Sequence, residues 1–146
     1  DETVDYLINS KFAVAAEKQI QFEVQVEFPR HTNIRNADLC AILGNLLDNA
    51  MEATGKVVSP KQRAIFLTIR RINQMLVIKV ENSYAEIAKR ENGQLQTTKT
   101  EAGLHGWGLK SAQTAAEKYD GTIRTTYEGD RFRAVATLSY HGVPME

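Results

Sequence analysis

"DLCAILGNLLDNAMEAT", residues 38–54, decides how this sequence is read. At about 100° per residue, Leu39, Ile42, Leu43, Leu46, Leu47 and Ala50 gather on one side of a helix. Asp38, Asn45, Asp48, Asn49 and Glu52 gather on the other. Two asparagines one turn apart are unexpected inside a helix, because Asn competes for backbone hydrogen bonds and favours caps and turns. A solvated face is one reading of the stripe, but such a face draws more naturally on Lys, Glu or Gln. Asn offers a neutral amide oxygen able to ligate a hard cation such as Mg2+. That ion keeps several waters and is shared with substrate phosphates, so one or two protein oxygens suffice.

Upstream, "VDYLINSKFAVAAEK" (4–18) reads as a helix and "IQFEVQVEF" (20–28) as a half-buried strand of period two, ended by Pro29. Asn36 is placed to cap the long helix, with Asp38 in its first turn. Downstream, "TGKVVSPKQ" is a loop. "RAIFLTIRRI" and "QMLVIKVEN" form a hairpin about Asn73 and Gln74. "WGLKSAQTAAEKY" (107–119) is a helix entered directly from glycines and stopped at Asp120-Gly121. "TIRTTYEGDRFRAVATLSY" is a second hairpin, about Gly129-Asp130. The order α β α β β α β β predicts one α/β domain over 1–146. Its fold class is a two-layer α/β sandwich with a mixed, mostly antiparallel sheet covered on one face by helices. The polar segment from 92 to 106 is long for a compact domain, and such loops are functional lids or disordered.

Composition narrows the class. With 42% hydrophobic and 25% charged residues, a packed core is expected and disorder is not. A formal net charge of zero argues against a general nucleic-acid binder, which carries a basic surplus. The single cysteine, Cys40, sits among apolar neighbours and excludes an internal disulfide framework, as suits a reducing, cytosolic compartment. No apolar run spans a membrane and no signal peptide opens the chain. It starts in helix-like sequence without methionine, so a fragment or processed product is expected.

A second signal is "HGWGLKSA" (105–112), where Gly106 and Gly108 lead directly into a helix. Glycine lets the backbone approach a ligand, and the free N–H groups of a helix N-terminus bind phosphate. Lys99 and His105 add positive charge nearby. Alone, this is as compatible with a hinge as with a phosphate site.

Together, the asparagine helix, the hairpin, the polar loop and the glycine-led helix resemble the ATP-binding domain shared by gyrase B, Hsp90, sensor histidine kinases and MutL (the Bergerat-type fold). The resemblance covers nearly the whole chain. "LGNLLDNAMEA" matches the asparagine motif and "HGWGL" the second glycine motif. "YLINSK", "NLLDNA", "VEN" before a small hydroxyl residue, and "TTK" look most like sensor histidine kinases of the peptide-pheromone (Agr-type) class.

The resemblance implies ATP and Mg2+ as ligands. Asn49 would bind the magnesium that bridges the phosphates, and Asn45 would line the same pocket. Hydrolytic members carry a glutamate at the position of Asn45. An amide cannot act as a general base, which fits keeping ATP intact for phosphoryl transfer. Glu52 either approaches the magnesium or stays on the surface. Asn82, in "VENSYAEI" (80–87), stands where the family has an adenine-binding aspartate followed by two glycines that are missing here. Its side-chain oxygen can accept the same bond without the charge; a strand-end turn is the plainer reading. Ile87 is either a wall of the adenine pocket or core. Residues 92–106 would be the ATP lid, with Lys99, His105 and the backbone of Gly106, Trp107, Gly108 and Leu109 meeting phosphates. Trp107 is more simply explained by packing, and Thr97 and Thr98 by lid surface.

None of His31, His105 and His141 lies in a helix suited to accept phosphate. The resemblance therefore implies a phosphoacceptor histidine helix elsewhere, in the same or a partner protomer, a homodimeric full-length protein and a downstream response regulator. Residues 1–18 would be the tail of a helical linker, and the whole would be the cytoplasmic part of a membrane-bound sensor. Two other readings stand beside this one: a degenerate interaction module that binds no nucleotide, and a serine kinase of the anti-sigma-factor type.

Overall fold

The structure, a computed structural model, describes residues 2–27, 32–85 and 109–139. Helix α1 spans Glu2–Glu17, strand β1 Gln21–Val26 and helix α2 Asn36–Gly55. A single 3-10 turn at Pro60–Gln62 leads into β2, Ala64–Ile72, and β3, Met75–Ser83. Residues 109–117 are helical (α3), followed by β4, Thr122–Glu128, and β5, Arg131–Ser139.

The strands form one sheet in the order β1-β2-β3-β5-β4. Only β1 and β2 are parallel, and α2 is the crossover that such a pair needs. The remaining pairs are antiparallel. The hairpin turns fall where expected: Asn73 and Gly129 take positive φ (54° and 64°), as tight turns between twisted strands require.

Because strand side chains alternate, one face of the sheet carries the core. Ile65, Leu67 and Ile69 of β2, Leu76, Ile78 and Val80 of β3, and Ala134, Ala136 and Leu138 of β5 are all buried. They join Leu39, Ile42, Leu43, Leu46 and Leu47 of α2, Val4, Ile8 and Ala15 of α1, and Ala112, Ala115 and Ala116 of α3 in one cluster. The predicted α/β sandwich is therefore the observed fold. Gly121 lets β4 leave α3 tightly against β5: a Cβ there would sit 1.9 Å from the Thr137 carbonyl oxygen. No helix among the described residues is long and apolar enough to cross a membrane.

One local expectation is corrected. Asn36 does not cap α2; Arg35 occupies the cap position without a side-chain cap bond, and Asn36 is the first residue of the helix. The Arg35 N–H instead donates to the hydroxyl of Tyr119 at 3.0 Å.

Candidate functional site

The polar stripe of α2 is graded. On the helical wheel Asn49 lies about 20° from Ile42, Asn45 about 60° and Glu52 about 80°. Burial follows: Asn49 is 8% exposed, Asn45 half-buried and Glu52 exposed. Asn49 is thus not opposite the apolar face, as the sequence reading had it, but at its border. Its Nδ2 is buried without a hydrogen-bond partner among the described residues. Such an orphan costs about 1–3 kcal/mol. A bound acceptor such as a phosphate oxygen would satisfy it, while the oxygen of the same amide is the end that suits a hard cation.

Asn82 stands on the same, core-facing side of β3, between Ile65 of β2 and Phe132 of β5 in the ladder, and is 1% exposed. It belongs to the strand, so the turn reading falls. Its Nδ2 donates to the Ser83 carbonyl at 2.8 Å. Beside it, Thr54 Oγ1 and Ser83 Oγ are 2.6 Å apart, and both accept from the Ala64 N–H, at 3.2 and 3.1 Å. This buried pair binds the last turn of α2 to the end of β3, so Asn82 and Asn49 belong to the same end of the molecule. The sequence reading noted a small hydroxyl after "VEN" but gave it no role. Its partner Thr54, 29 residues away, could not be read from pattern.

The other end of α2 is fixed differently. Asp38 accepts from the Tyr119 hydroxyl at 2.5 Å and from Lys118 Nζ at 3.0 Å, which ties α2 to the residues just after α3. The Tyr119 hydrogen bond, and then Lys118, hold the Asp38 carboxyl below its ordinary value. Burial, and then the Asp38 bond, push the Tyr119 phenol up. On the far flank of α2, Lys11 of α1 pairs with Asp48 at 2.5 Å. Burial also raises the Cys40 thiol, which keeps it protonated and unreactive.

Tyr84 fixes the chain as it leaves β3. Its N–H donates to the Asp130 carbonyl at 3.2 Å and its hydroxyl to the Gly129 carbonyl at 3.0 Å, and its ring meets Tyr127 edge-on at 5.0 Å. Of the candidates beyond it, Leu109 is described, partly buried against the core at α3. Ile87, Lys99, His105, Gly106, Trp107 and Gly108, with the segment 92–106, lie outside the described residues. So do His31 and His141. Among the described residues no group of three His, Cys, Asp or Glu could hold a metal. The amide of Asn49 is outside that donor set.

A family model described as "GHKL domain" matches residues 34–138, from the turn before α2 to the end of β5. No individual curated protein matches the sequence. Solved structures do match in shape. A histidine kinase from Burkholderia phymatum STM815 aligns with a TM-score of 0.70 at 18% identity, over 95% of this chain and 68% of that one. The histidine kinase AdeS of Acinetobacter baumannii gives 0.66 at 13% identity, over 94% of this chain but only 63% of its own. The catalytic domain of histidine kinase ThkA, in a nucleotide-free form, gives 0.63 at 19% identity over 93% and 92%. At these identities the likeness is one of fold.

Proposed function

This chain belongs to the GHKL domain family, and on that premise we propose that it is the ATP-binding catalytic domain of a two-component sensor histidine kinase. It takes up Mg-ATP and presents the γ-phosphoryl group to a histidine outside residues 1–146. The observation that carries this reading is the Asn49 amide, whose Nδ2 is buried without a hydrogen-bond partner among the described residues, on the helix that the family match includes.

Bound Mg2+ would neutralise charge on the transferring phosphates; that is the chemistry the ion supplies. The chain's own residues do the holding. Asn49 supplies the amide for the ion, and Asn45 lines the same pocket. Glu52, exposed on α2, is free to reach the ion's water shell or to remain at the surface. Asn82 accepts from the adenine amino group. Lys99, His105 and the backbone from Gly106 to Leu109 take the phosphates, with 92–106 as the lid. An amide at Asn45 cannot deprotonate water, which favours transfer over hydrolysis. Phosphoryl transfer is then mostly positioning and electrostatics. The domain serves a cytoplasmic relay: the helical linker ending in α1 leads from the phosphoacceptor helices of a homodimer, and a response regulator receives the phosphate.

The test is transfer. The chain is incubated with radiolabelled Mg-ATP and a separately produced histidine-bearing helix pair. Acid-labile, base-stable label on the helix pair is expected. Acid-stable label on a protein serine would support the serine-kinase reading instead. Absence of nucleotide binding would support the degenerate module.

A further inference from the structure

We propose that Ser83 and Thr54 set the purine preference of this site by fixing which way round the Asn82 amide sits; the inference rests on the nucleotide-binding reading above. An aspartate can only accept a hydrogen bond, but an amide has two different ends. Turned one way, Asn82 accepts from a 6-amino group, as in adenine. Turned the other way, it donates to a 6-oxo group, as in hypoxanthine or guanine. A freely turning asparagine would read neither.

The structure holds it one way. One end of the amide lies 2.8 Å from the Ser83 carbonyl oxygen, and only the nitrogen can occupy that place, because two oxygens without a proton between them repel. Asn82 is 1% exposed, so bulk water does not compete for the bond. Oδ1 is therefore the end turned away from Ser83. The residue that carries the carbonyl is held on both sides. The ladder fixes the Asn82 backbone between Ile65 and Phe132. The Ser83 hydroxyl is locked to Thr54 of α2 at 2.6 Å, and the two hydroxyls share the Ala64 N–H just beyond the last β2–β3 pair. Thr54 is fully buried and Ser83 is 6% exposed. Both act through Asn82, as positioning residues, and neither needs to touch nucleotide. The lock supplies for an asparagine what an aspartate has by its chemistry, an acceptor facing the base.

The test compares ADP with inosine diphosphate, which has the same ribose and phosphates but an oxygen at position 6. Calorimetric titration of the 146-residue chain, with magnesium, should give ADP at least about tenfold tighter binding, the discrimination expected of a well-placed polar contact. Asn82→Ala should bring the two affinities to within about twofold. Thr54→Val, close in shape but without the hydroxyl, should narrow the ratio by weakening ADP more than inosine diphosphate, with the fold checked by circular dichroism. Equal binding of both nucleotides to the wild type, or an unchanged ratio in Asn82→Ala, would overturn the proposal. An unchanged ratio in a folded Thr54→Val would overturn the part given to the hydroxyl pair. If the wild type binds neither nucleotide, the nucleotide-binding reading itself fails and this inference falls with it.

Discussion

Asp38 and Asn49 lie on the same helix, about three turns apart, and on the same polar side of it. Asp38 is well partnered: a phenol and an ammonium donate to it, and its carboxyl is held below the ordinary value in consequence. Asn49 is more deeply buried and has an amide nitrogen with no partner among the described residues. A chain selected for stability alone would satisfy such a group or replace it with an apolar one. On the proposed reading the difference separates polar residues that hold the fold from polar residues that are kept for a ligand, and burial alone would not have told them apart.

The comparison can be tested on a scale of stability, from the largest effect to the smallest. Thr54→Val removes a fully buried, satisfied hydroxyl and leaves the Ser83 hydroxyl without its side-chain partner; unfolding free energy should fall by about 1–3 kcal/mol in chemical denaturation. Tyr119→Phe leaves Asp38 with Lys118 alone and the Arg35 N–H without its acceptor, and should cost about 1 kcal/mol by the same measurement. Nucleotide affinity should stay within about twofold of wild type, since the change is at the other end of α2.

The Asp38 contribution also depends on pH. Its folded value is lowered, so its stabilisation is fully present above the ordinary value of about 3.9 and is lost as pH falls through the folded value. Melting curves from pH 5 downward should show this loss in wild type and a smaller one in Tyr119→Phe, where the main cause of the lowering is gone. The smallest effect on stability should come from Asn49→Ala. It removes the orphan amide along with its packing, two terms of opposite sign, and should leave unfolding free energy within about 1 kcal/mol of wild type. A large loss there would place Asn49 with Asp38, among the residues that hold the fold.

Much of this architecture was legible in the sequence, because its signals are local. The apolar side of α2, the period-two strands and the turns at Asn73 and Gly129 each declare themselves within a few residues. Single residues were less legible. Asn36 looked like a cap because Asn favours that position, but the helix starts one residue earlier, with Arg35 at the cap. Asn49 was grouped with the polar stripe although it lies only about 20° from Ile42, and its burial was missed for that reason. Asn82 reads as the last residue of a strand, with a turn as the alternative; what the pattern did not show is the Thr54–Ser83 bond that holds that end across 29 residues. The asparagines of the candidate site were named by resemblance; that the Nδ2 of one has no partner among the described residues and that the other is held by its neighbour's carbonyl was not legible.

The most direct measurement is a calorimetric titration of wild type and Asn49→Ala with a non-hydrolysable ATP analogue, each with and without magnesium. The account predicts one-to-one binding to the wild type that magnesium strengthens, and a folded variant in which the magnesium effect is gone. It is contradicted if the wild type shows no binding up to millimolar ligand, where a complex would be worth only about 4 kcal/mol, or if the variant binds the magnesium complex as tightly as the wild type.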